Sequence, residues 1–279
     1  MPETHNKMEL PNINKRRITE LLKDEKRLDG RKPFEFRDIE IETMVSNKAD
    51  GSARVKIGKT EVIVGVKLAT QEPYPDHLDE GTMMTGMEFS SISAERYESG
   101  PPGIDAIEVA RVVDRGIRES GFIEWKKLCI KEGEKVWSVS IDIYCINDDG
   151  NVLDAAAIAS VAALRVTKFP VYDEKEGKVK YDEKSKESLP LTENVPLSLT
   201  FYKIGDEVLL DPNRDEEDAA EARLTLALSS SKKDKIINAM QKGGMVAFTE
   251  EDLYKIIKES EKVYDKLFPE IEKKIKELK

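Results

Sequence analysis

Apolar residues recur along this chain at two different spacings, and the switches between them mark the elements. Between Asn14 and Lys26, Ile18, Leu21 and Leu22 stand three to four residues apart among Lys, Arg and Glu, which predicts a peripheral helix with Asn14 as its cap. After Asp29-Gly30 the period shortens. Phe36, Ile39, Ile41 and Val45, then Ala53, Val55 and Ile57, then Val62, Val64 and Val66 predict strands broken at Asp50-Gly51 and at Gly58. A further strand is expected over Met83 to Phe89, ahead of the breaker Gly100-Pro101-Pro102-Gly103. From Ile104 to Ser120, Ile104, Ile107, Ala110, Val113 and Ile117 form a helical stripe that Gly121 stops. Trp137, Val139, Ile141, Ile143 and Cys145 alternate with Ser138, Ser140, Asp142 and Tyr144, the mark of a half-buried strand, which ends at Asn147-Asp148-Asp149-Gly150. Val152 to Val166 is alanine-rich, so its helix can lie close against a sheet at the centre of the fold.

Tyr172 to Leu189 is dominated by Lys, Glu and Asp around Gly177 and reads as a solvated hairpin or linker. Strands resume at Leu197–Ile204, Glu207–Leu210, Ala222–Leu228 and Lys235–Met240, and Gly243-Gly244 is expected to turn the chain. The last helix starts at Thr249 with Asp252 as a capping box, and Pro269 is expected to kink or break it before Ile271 and Ile275. This order predicts an α+β chain of two βα-type halves with peripheral N- and C-terminal helices. The expected divisions are an N-terminal helical extension at 1–30, a first half at 31–170, a charged linker or hairpin at 171–196 and a second half at 197–279.

The 279 residues suit one large core or two intimately packed lobes without metals or disulfides as staples. Lys and Arg number 45 against 55 Asp and Glu, a formal charge of -10, which argues against autonomous polyanion binding and leaves a local basic patch or a basic partner as the route to nucleic acid. The uncharged run Ala155–Leu164 is far short of the roughly 20 residues of a spanning helix, so no membrane role is expected. Met1–Glu9 carries no apolar core and does not read as a secretory signal. Cys129 and Cys145, both in apolar strand-like runs, read as reduced core thiols of a cytoplasmic protein. His5 and His77 are the only histidines, His77 reading as a surface or interface residue, and no Cys/His metal spacing, P-loop or nucleophile-elbow motif occurs. No cofactor is expected.

Several short motifs follow one another in an order that carries more information than any of them alone. Arg27-Leu28-Asp29-Gly30-Arg31, Phe36-Arg37-Asp38-Ile39, Gly51-Ser52-Ala53 and Gly58-Lys59-Thr60-Glu61-Val62 together resemble the opening of the ribonuclease PH family. Gly100-Pro101-Pro102, Glu108-Val109-Ala110-Arg111-Val112-Val113-Asp114-Arg115 and Gly150-Asn151-Val152-Leu153-Asp154-Ala155-Ala156 extend the likeness, which is similar to the non-catalytic ring subunits of the archaeal exosome. The resemblance runs from about Arg27 to Phe248. It implies a ribonuclease PH-like fold and a structural, RNA-guiding place in a hexameric ring. The implied partners are a homologous catalytic ring subunit that degrades RNA 3′ to 5′ by phosphorolysis, RNA-binding cap proteins, and single-stranded RNA passing through the assembled ring.

Departures from the active members point the same way. Those members bind phosphate at a Gly-rich turn and an Arg where the alanine-rich helix begins. Here Asp148, Asp149 and Asp154 surround Gly150-Asn151-Val152, so the expectation is an empty phosphate site; the alternative is that they simply make the turn and favour the helix dipole. The arginine pair of active members gives way to Gly-Pro-Pro-Gly, and Arg223 stands where a catalytic aspartate is expected, with Glu217 near the other acidic position. A guanidinium serves neither as a base nor as a ligand for a divalent ion, so no catalytic residue is expected. Arg111, Arg115 and Arg118 follow at i, i+4, i+7 and stack on one helix face. They either pair locally with Glu108, Asp114 and Glu119 or meet phosphates, and the resemblance implies that Arg111 and Arg115 bind RNA at the partner interface. A self-sufficient phosphorolytic exoribonuclease or nucleotidyltransferase and an unrelated α+β scaffold remain as alternatives.

Overall fold

The computed structural model describes residues 12–173, 177–231 and 234–277. The readings made for Met1–Glu9 and His5 lie outside these residues, as do residues 174–176 of the charged stretch. In chain order the elements are α1 (Asn12–Lys23), β1 (Ile39–Thr43), β2 (Gly51–Ile57), β3 (Thr60–Gln71), β4 (Thr82–Phe89), α2 (Ile104–Glu119), β5 (Cys129–Lys131), β6 (Lys135–Asn147) and α3 (Val152–Val166). There follow β7 (Lys168–Asp173), β8 (Lys178–Ser188), β9 (Leu197–Ile204), β10 (Glu207–Leu210), α4 (Arg214–Ala219), β11 (Ala222–Ser231), β12 (Asp234–Gly244) and α5 (Glu250–Glu277).

One sheet runs β1-β2-β3-β6-β4, with β5 attached to β6. It is antiparallel except where β4 lies parallel to β6. A second antiparallel sheet runs β10-β9-β11-β12, and β7 and β8 form a separate hairpin. The alternation on β6 works as expected: Val139, Ile141, Ile143 and Cys145 are buried, and Val62, Val64 and Val66 of β3 pair alongside them. Helix α3 packs on β2 and β3 of the first sheet and on β9 of the second. Every residue from Val152 to Leu164 is buried, so the small side chains of Ala155, Ala156, Ala159, Ala162 and Ala163 let one helix serve both sheets. Helix α2 lies beside it, against edge strand β4 of one sheet and edge strand β12 of the other.

Several expectations are corrected. Asn14 lies inside α1 rather than capping it, because the helix already includes Asn12. Strand β1 stops at Thr43, where Met44 takes a left-handed φ of 57°, and Val45 is exposed. On α2 the buried face is Ala106, Ala110, Val113, Gly116 and Ile117, whereas Ile104 and Ile107 are exposed. They belong to the neighbouring row of the same 3.6-residue lattice, the one that carries Arg111, Arg115 and Arg118. Cys129 is only half-buried because β5 is a three-residue strand; Cys145 is a core thiol, its ionisation pushed up by burial, and both are free. Gly243 and Gly244 extend β12 instead of turning the chain, pairing with Arg223 and Ala222. Helix α5 runs through Pro269 without a break. Tyr264, Leu267, Ile271 and Ile275 on both sides of the proline are buried in the main core, and that packing outweighs the hydrogen bond the proline removes. The Thr249–Asp252 capping box forms, at 2.8 Å from the Thr249 N–H and 3.1 Å from the Asp252 N–H.

The sequence reading passed over α4. Its Asn213 and Glu216 make a capping box, and the Glu216 carboxylate also receives Arg27 through two donors of the guanidinium, a pair whose side chains are 0% and 1% exposed. Removing one partner of such a pair strands the other charge in the interior. Glu216→Gln is therefore expected to lower the unfolding free energy by about 3–5 kcal/mol, read from the midpoint of a guanidinium chloride titration.

Candidate functional site

Two concavities flank α2. The smaller, about 220 Å³, opens at the N-terminus of α3 and is lined by Arg96, Tyr97, Asp148, Tyr202, Arg214, Glu217 and Arg223, with Glu108 on the α2 side. The larger, about 830 Å³, is a groove along the other side of α2, lined by Ile104, Ile107, Arg111, Arg115 and Arg118, by Thr85 of β4, and by Met240 and Gln241 of β12.

Local sequence builds the first cavity. Gly150, at φ 87°, is required where β6 turns into α3, because a side chain there would come within 2.6 Å of the Asn213 backbone. Asn151 follows in a left-handed conformation, φ 56°, and its side chain does not cap α3. Its Nδ2 instead donates to Asp154 Oδ2 at 3.0 Å and to Asp211 Oδ1 at 2.8 Å. Asp154 turns inward, where it also accepts from the Thr200 N–H at 3.0 Å and the Thr200 hydroxyl at 2.7 Å. Asp148 accepts from the Gly150 N–H at 3.0 Å, making the turn, and from Tyr97 and Arg214 at 2.8 Å each. None of these three carboxylates occupies the open end of the helix.

Glu217 does. Its Oε2 accepts from the Asn151 N–H at 2.8 Å, and its Oε1 accepts from the Tyr202 hydroxyl at 3.3 Å, with Arg214 at 3.8 Å. An anion therefore already sits at the positive end of α3, and it belongs to the chain. The surrounding cations are paired as well. Arg96 makes two bonds to Asp218, at 2.9 and 2.7 Å, and Arg214 reaches Asp218 at 2.8 Å. Burial opposes the charge of Arg214, yet Glu217, Asp148 and Asp218 hold its ionisation above the ordinary guanidinium range. Burial, reinforced by the Glu217 charge, pushes the Tyr202 phenol well up, so it stays a neutral donor. Arg223 bonds Glu108 at 2.5 Å across the cavity wall. Each of the cavity's arginines is thus bound to a carboxylate, and among the described residues no cluster of His, Cys, Asp or Glu is arranged to hold a metal ion.

The groove has a different character. Arg118 is held by Asp114 at 3.0 Å, donates to the Met83 carbonyl at 3.2 Å and lies over the Trp125 ring at 5.8 Å. Glu108 is taken by Arg223 and Asp114 by Arg118. Arg111 and Arg115 are exposed and, among the described residues, form no ion pair. The structure thus divides the three predicted arginines: local pairing accounts for Arg118 and leaves Arg111 and Arg115 open to a polyanion. His77 is exposed, with Nδ1 3.1 Å from Glu80. Sequence reasoning missed the pocket role of Arg96, Arg214 and Asp218; the Asn213-x-x-Glu216 capping signature was the available signal for the helix that carries three of the pocket's charges.

Comparison with known proteins bears on the whole chain. The model of domain 1 of the 3′ exoribonuclease family (RNase PH) matches residues 35–170, and the model of domain 2 matches residues 194–263. The chain is 46% identical over 246 residues to the "Exosome complex component Rrp42" of Methanosarcina mazei, covering 88% of each. It is 44% identical over 253 residues to the protein of that name from Methanothermobacter thermautotrophicus, covering 90% of this chain and 92% of the relative. Among solved structures, a chain of the Archaeoglobus fulgidus exosome with RNA bound to the active site superposes with a TM-score of 0.84 at 39% identity, over 93% of this chain and 98% of that one. A chain of an archaeal exosome core gives 0.81 at 38% identity, over 94% and 97%. Rice Rrp46, at 0.65 and 17% identity, shares the fold.

Asp154 provides a pH test of the cavity's architecture. Burial raises its pKa from 3.8 to about 7 against the opposing hydrogen bonds of Thr200 and Asn151, so the folded chain holds this proton more tightly than the unfolded one. Its contribution is then full below pH 4 and falls as pH rises through 7. Relative to Asp154→Asn, wild-type stability is expected to decline by roughly 4 kcal/mol between pH 4 and pH 7.5, measured as the difference between the two proteins in parallel denaturant titrations.

Proposed function

Because the chain belongs to the 3′ exoribonuclease family of the RNase PH type, we propose that it is the non-catalytic, RNA-guiding subunit of a hexameric exosome ring, alternating with a homologous catalytic partner that degrades RNA 3′ to 5′ by phosphorolysis. The observation that carries the non-catalytic half of this reading is Glu217. Its carboxylate takes the N–H of Asn151, the N-cap residue of α3, at 2.8 Å, so inorganic phosphate meets a negatively charged group at the head of that helix. Arg223, bonded to Glu108, stands on the same wall and offers neither a base nor a metal ligand. The RNA-guiding half rests on Arg111 and Arg115, the two unpaired guanidinium groups of the groove. Relatives named as exosome components, and the exosome structures that superpose on the chain, support the ring. RNA-binding cap proteins are the further partners of the same reading. The two free thiols agree with a cytoplasmic setting. The division into halves at 31–170 and 197–279, after an N-terminal extension at 1–30 and joined by the charged segment 171–196, is part of the proposal.

Two outcomes test it. The isolated chain is expected to release no nucleoside diphosphate from RNA at any phosphate concentration, and to form a stable hexamer only when mixed with its catalytic homologue; robust phosphorolysis by the pure chain would establish the self-sufficient enzyme instead. In the reconstituted ring, the double variant Arg111→Ala/Arg115→Ala is expected to bind all RNA sequences more weakly, because phosphate contacts position a strand without reading it. The slope of log affinity against log salt is expected to fall by roughly 0.7 for each phosphate of a single strand that is no longer neutralised. Unchanged affinity and slope would reduce both arginines to surface residues.

A further inference from the structure

The two ends of α2 are held by different means. In the second half, Val113 and Ile117 are buried, Gly116 lies so close to the second sheet that an added Cβ would stand 3.3 Å from Ala227, and Asp114 anchors both Arg118 at 3.0 Å and the Thr85 hydroxyl at 3.3 Å. The first half has little of this. Gly103 gives the helix no side-chain cap, the inward residues Ala106 and Ala110 are small, and Ile104 and Ile107 face the open groove.

Val109 packs on the main core from this half, and Arg223 reaches it from the second sheet. The residue lies on β11, its guanidinium 2.5 Å from Glu108, with the two side chains 17% and 31% exposed. The slot it occupies is shaped for it: Gly243 of β12 is directly paired with Arg223, and any Cβ at that position would come within 2.8 Å of the guanidinium. Glu108 lines both concavities, so the bridge lies between the smaller cavity and the groove. Arg111 follows Glu108 by one helical turn and Arg115 by two.

We infer that Arg223, acting through Glu108, is a positioning residue for RNA: it fixes the first half of α2 against β11 and β12 and thereby orients Arg111 in the groove beside Arg115. The inference rests on the reading that those two arginines contact RNA. A residue that stands where the family's chemistry would call for an acid thus has a second use, and its effect is exerted without touching the ligand.

Charge alone makes the opposite forecast for one of the two partners, which gives the test its sign. Removing Arg223 deletes a positive charge and removing Glu108 deletes a negative one, so pure Coulomb attraction would weaken RNA binding in the first case and tighten it in the second. Positioning weakens it in both. The experiment is fluorescence anisotropy of a labelled single-stranded oligoadenylate on the ring reconstituted with its catalytic homologue, for Arg223→Ala, Glu108→Ala, the double variant and Arg111→Ala/Arg115→Ala, each across a salt series, with assembly checked by light scattering. Each bridge variant is expected to bind roughly 3- to 10-fold more weakly with a reduced salt slope, and the double variant no more weakly than either single, since both cut the same link. Tighter or unchanged binding by Glu108→Ala overturns the inference. If the arginine double variant weakens binding while the bridge variants do not, positioning fails and the RNA-guiding reading stands; if none of them changes binding, both fail. The nearly isosteric Glu108→Gln keeps the comparison available where alanine disturbs assembly, with the same expected weakening and the same overturning result.

Discussion

Asp211 is the constraint on which the arrangement of the cavity at the head of α3 depends. It is fully buried, in a left-handed conformation at φ 50°, at the end of β10. Its carboxylate collects Arg31 at 2.9 Å, Arg37 through Nε at 2.9 Å and Nη2 at 2.8 Å, the Arg37 N–H at 2.8 Å, and Asn151 at 2.8 Å. Burial alone would favour the neutral acid, but the hydrogen bonds and charge of Arg37 outweigh it and hold the ionisation below the usual carboxylate range. One carboxylate thereby ties the segment before β1 and the head of α3 to the loop that enters α4. Arg37 extends the tie by donating to the carbonyls of Asp149, Gly150 and Pro212 at 2.9, 3.0 and 3.1 Å.

The state of the pocket follows from that tie. With the α3 head and the start of α4 locked together, the second turn of α4 lies over the first amide of α3, and Glu217 reaches it. Glu217, Asp218 and Arg214 are all within this six-residue helix, so its short, charged sequence supplies both the plug and the pairs that neutralise it. A helix with so little apolar surface does not hold by its own propensity; the Arg27–Glu216 pair and the capping box hold it. The motifs that resemble an exoribonuclease, Arg27 to Arg31 and Phe36 to Ile39, therefore serve here as the frame of the smaller cavity. The same fold retains an open groove on the other side of α2, where the two unpaired arginines remain.

Most of the fold was legible because its signals are local. The alternation of β6, the alanine content of α3 and the Thr249–Asp252 box can each be read within a dozen residues, and each appears as expected. What escaped the sequence is what distant residues decide. Whether Ile104 and Ile107 or Ala106 and Ala110 face inward depends on which row of α2 finds Ala227 and β4 across from it, and a helical repeat contains both rows. Pro269 reads as a breaker until the buried residues on each side of it are known. The site was half legible. Arg223 and Glu217 stood out as departures from an active pattern, but their partners are Glu108 and Asn151, remote in sequence and brought near only by the packing of α2 and α3 against the second sheet.

The proposal of an RNA-guiding role for an acidic chain looks contradictory only at long range. The formal charge of -10 is spread over the whole surface, and at physiological ionic strength its repulsion is screened beyond about 8 Å. On the proposed reading a strand in the groove of α2 responds to the charges within that distance, and there Glu108 and Asp114 are bound to Arg223 and Arg118 while Glu119, exposed and one turn beyond Arg115, forms no ion pair among the described residues. The pairing of Glu108 matters for Arg111 in particular, because a free glutamate one turn away competes with phosphate for the same guanidinium group, as Glu119 is placed to do at Arg115. The arginines at positions 118 and 223 thus occupy two of the groove's three carboxylates, and the availability of Arg111 arises from how charges are paired within the fold rather than from any excess of them in the chain.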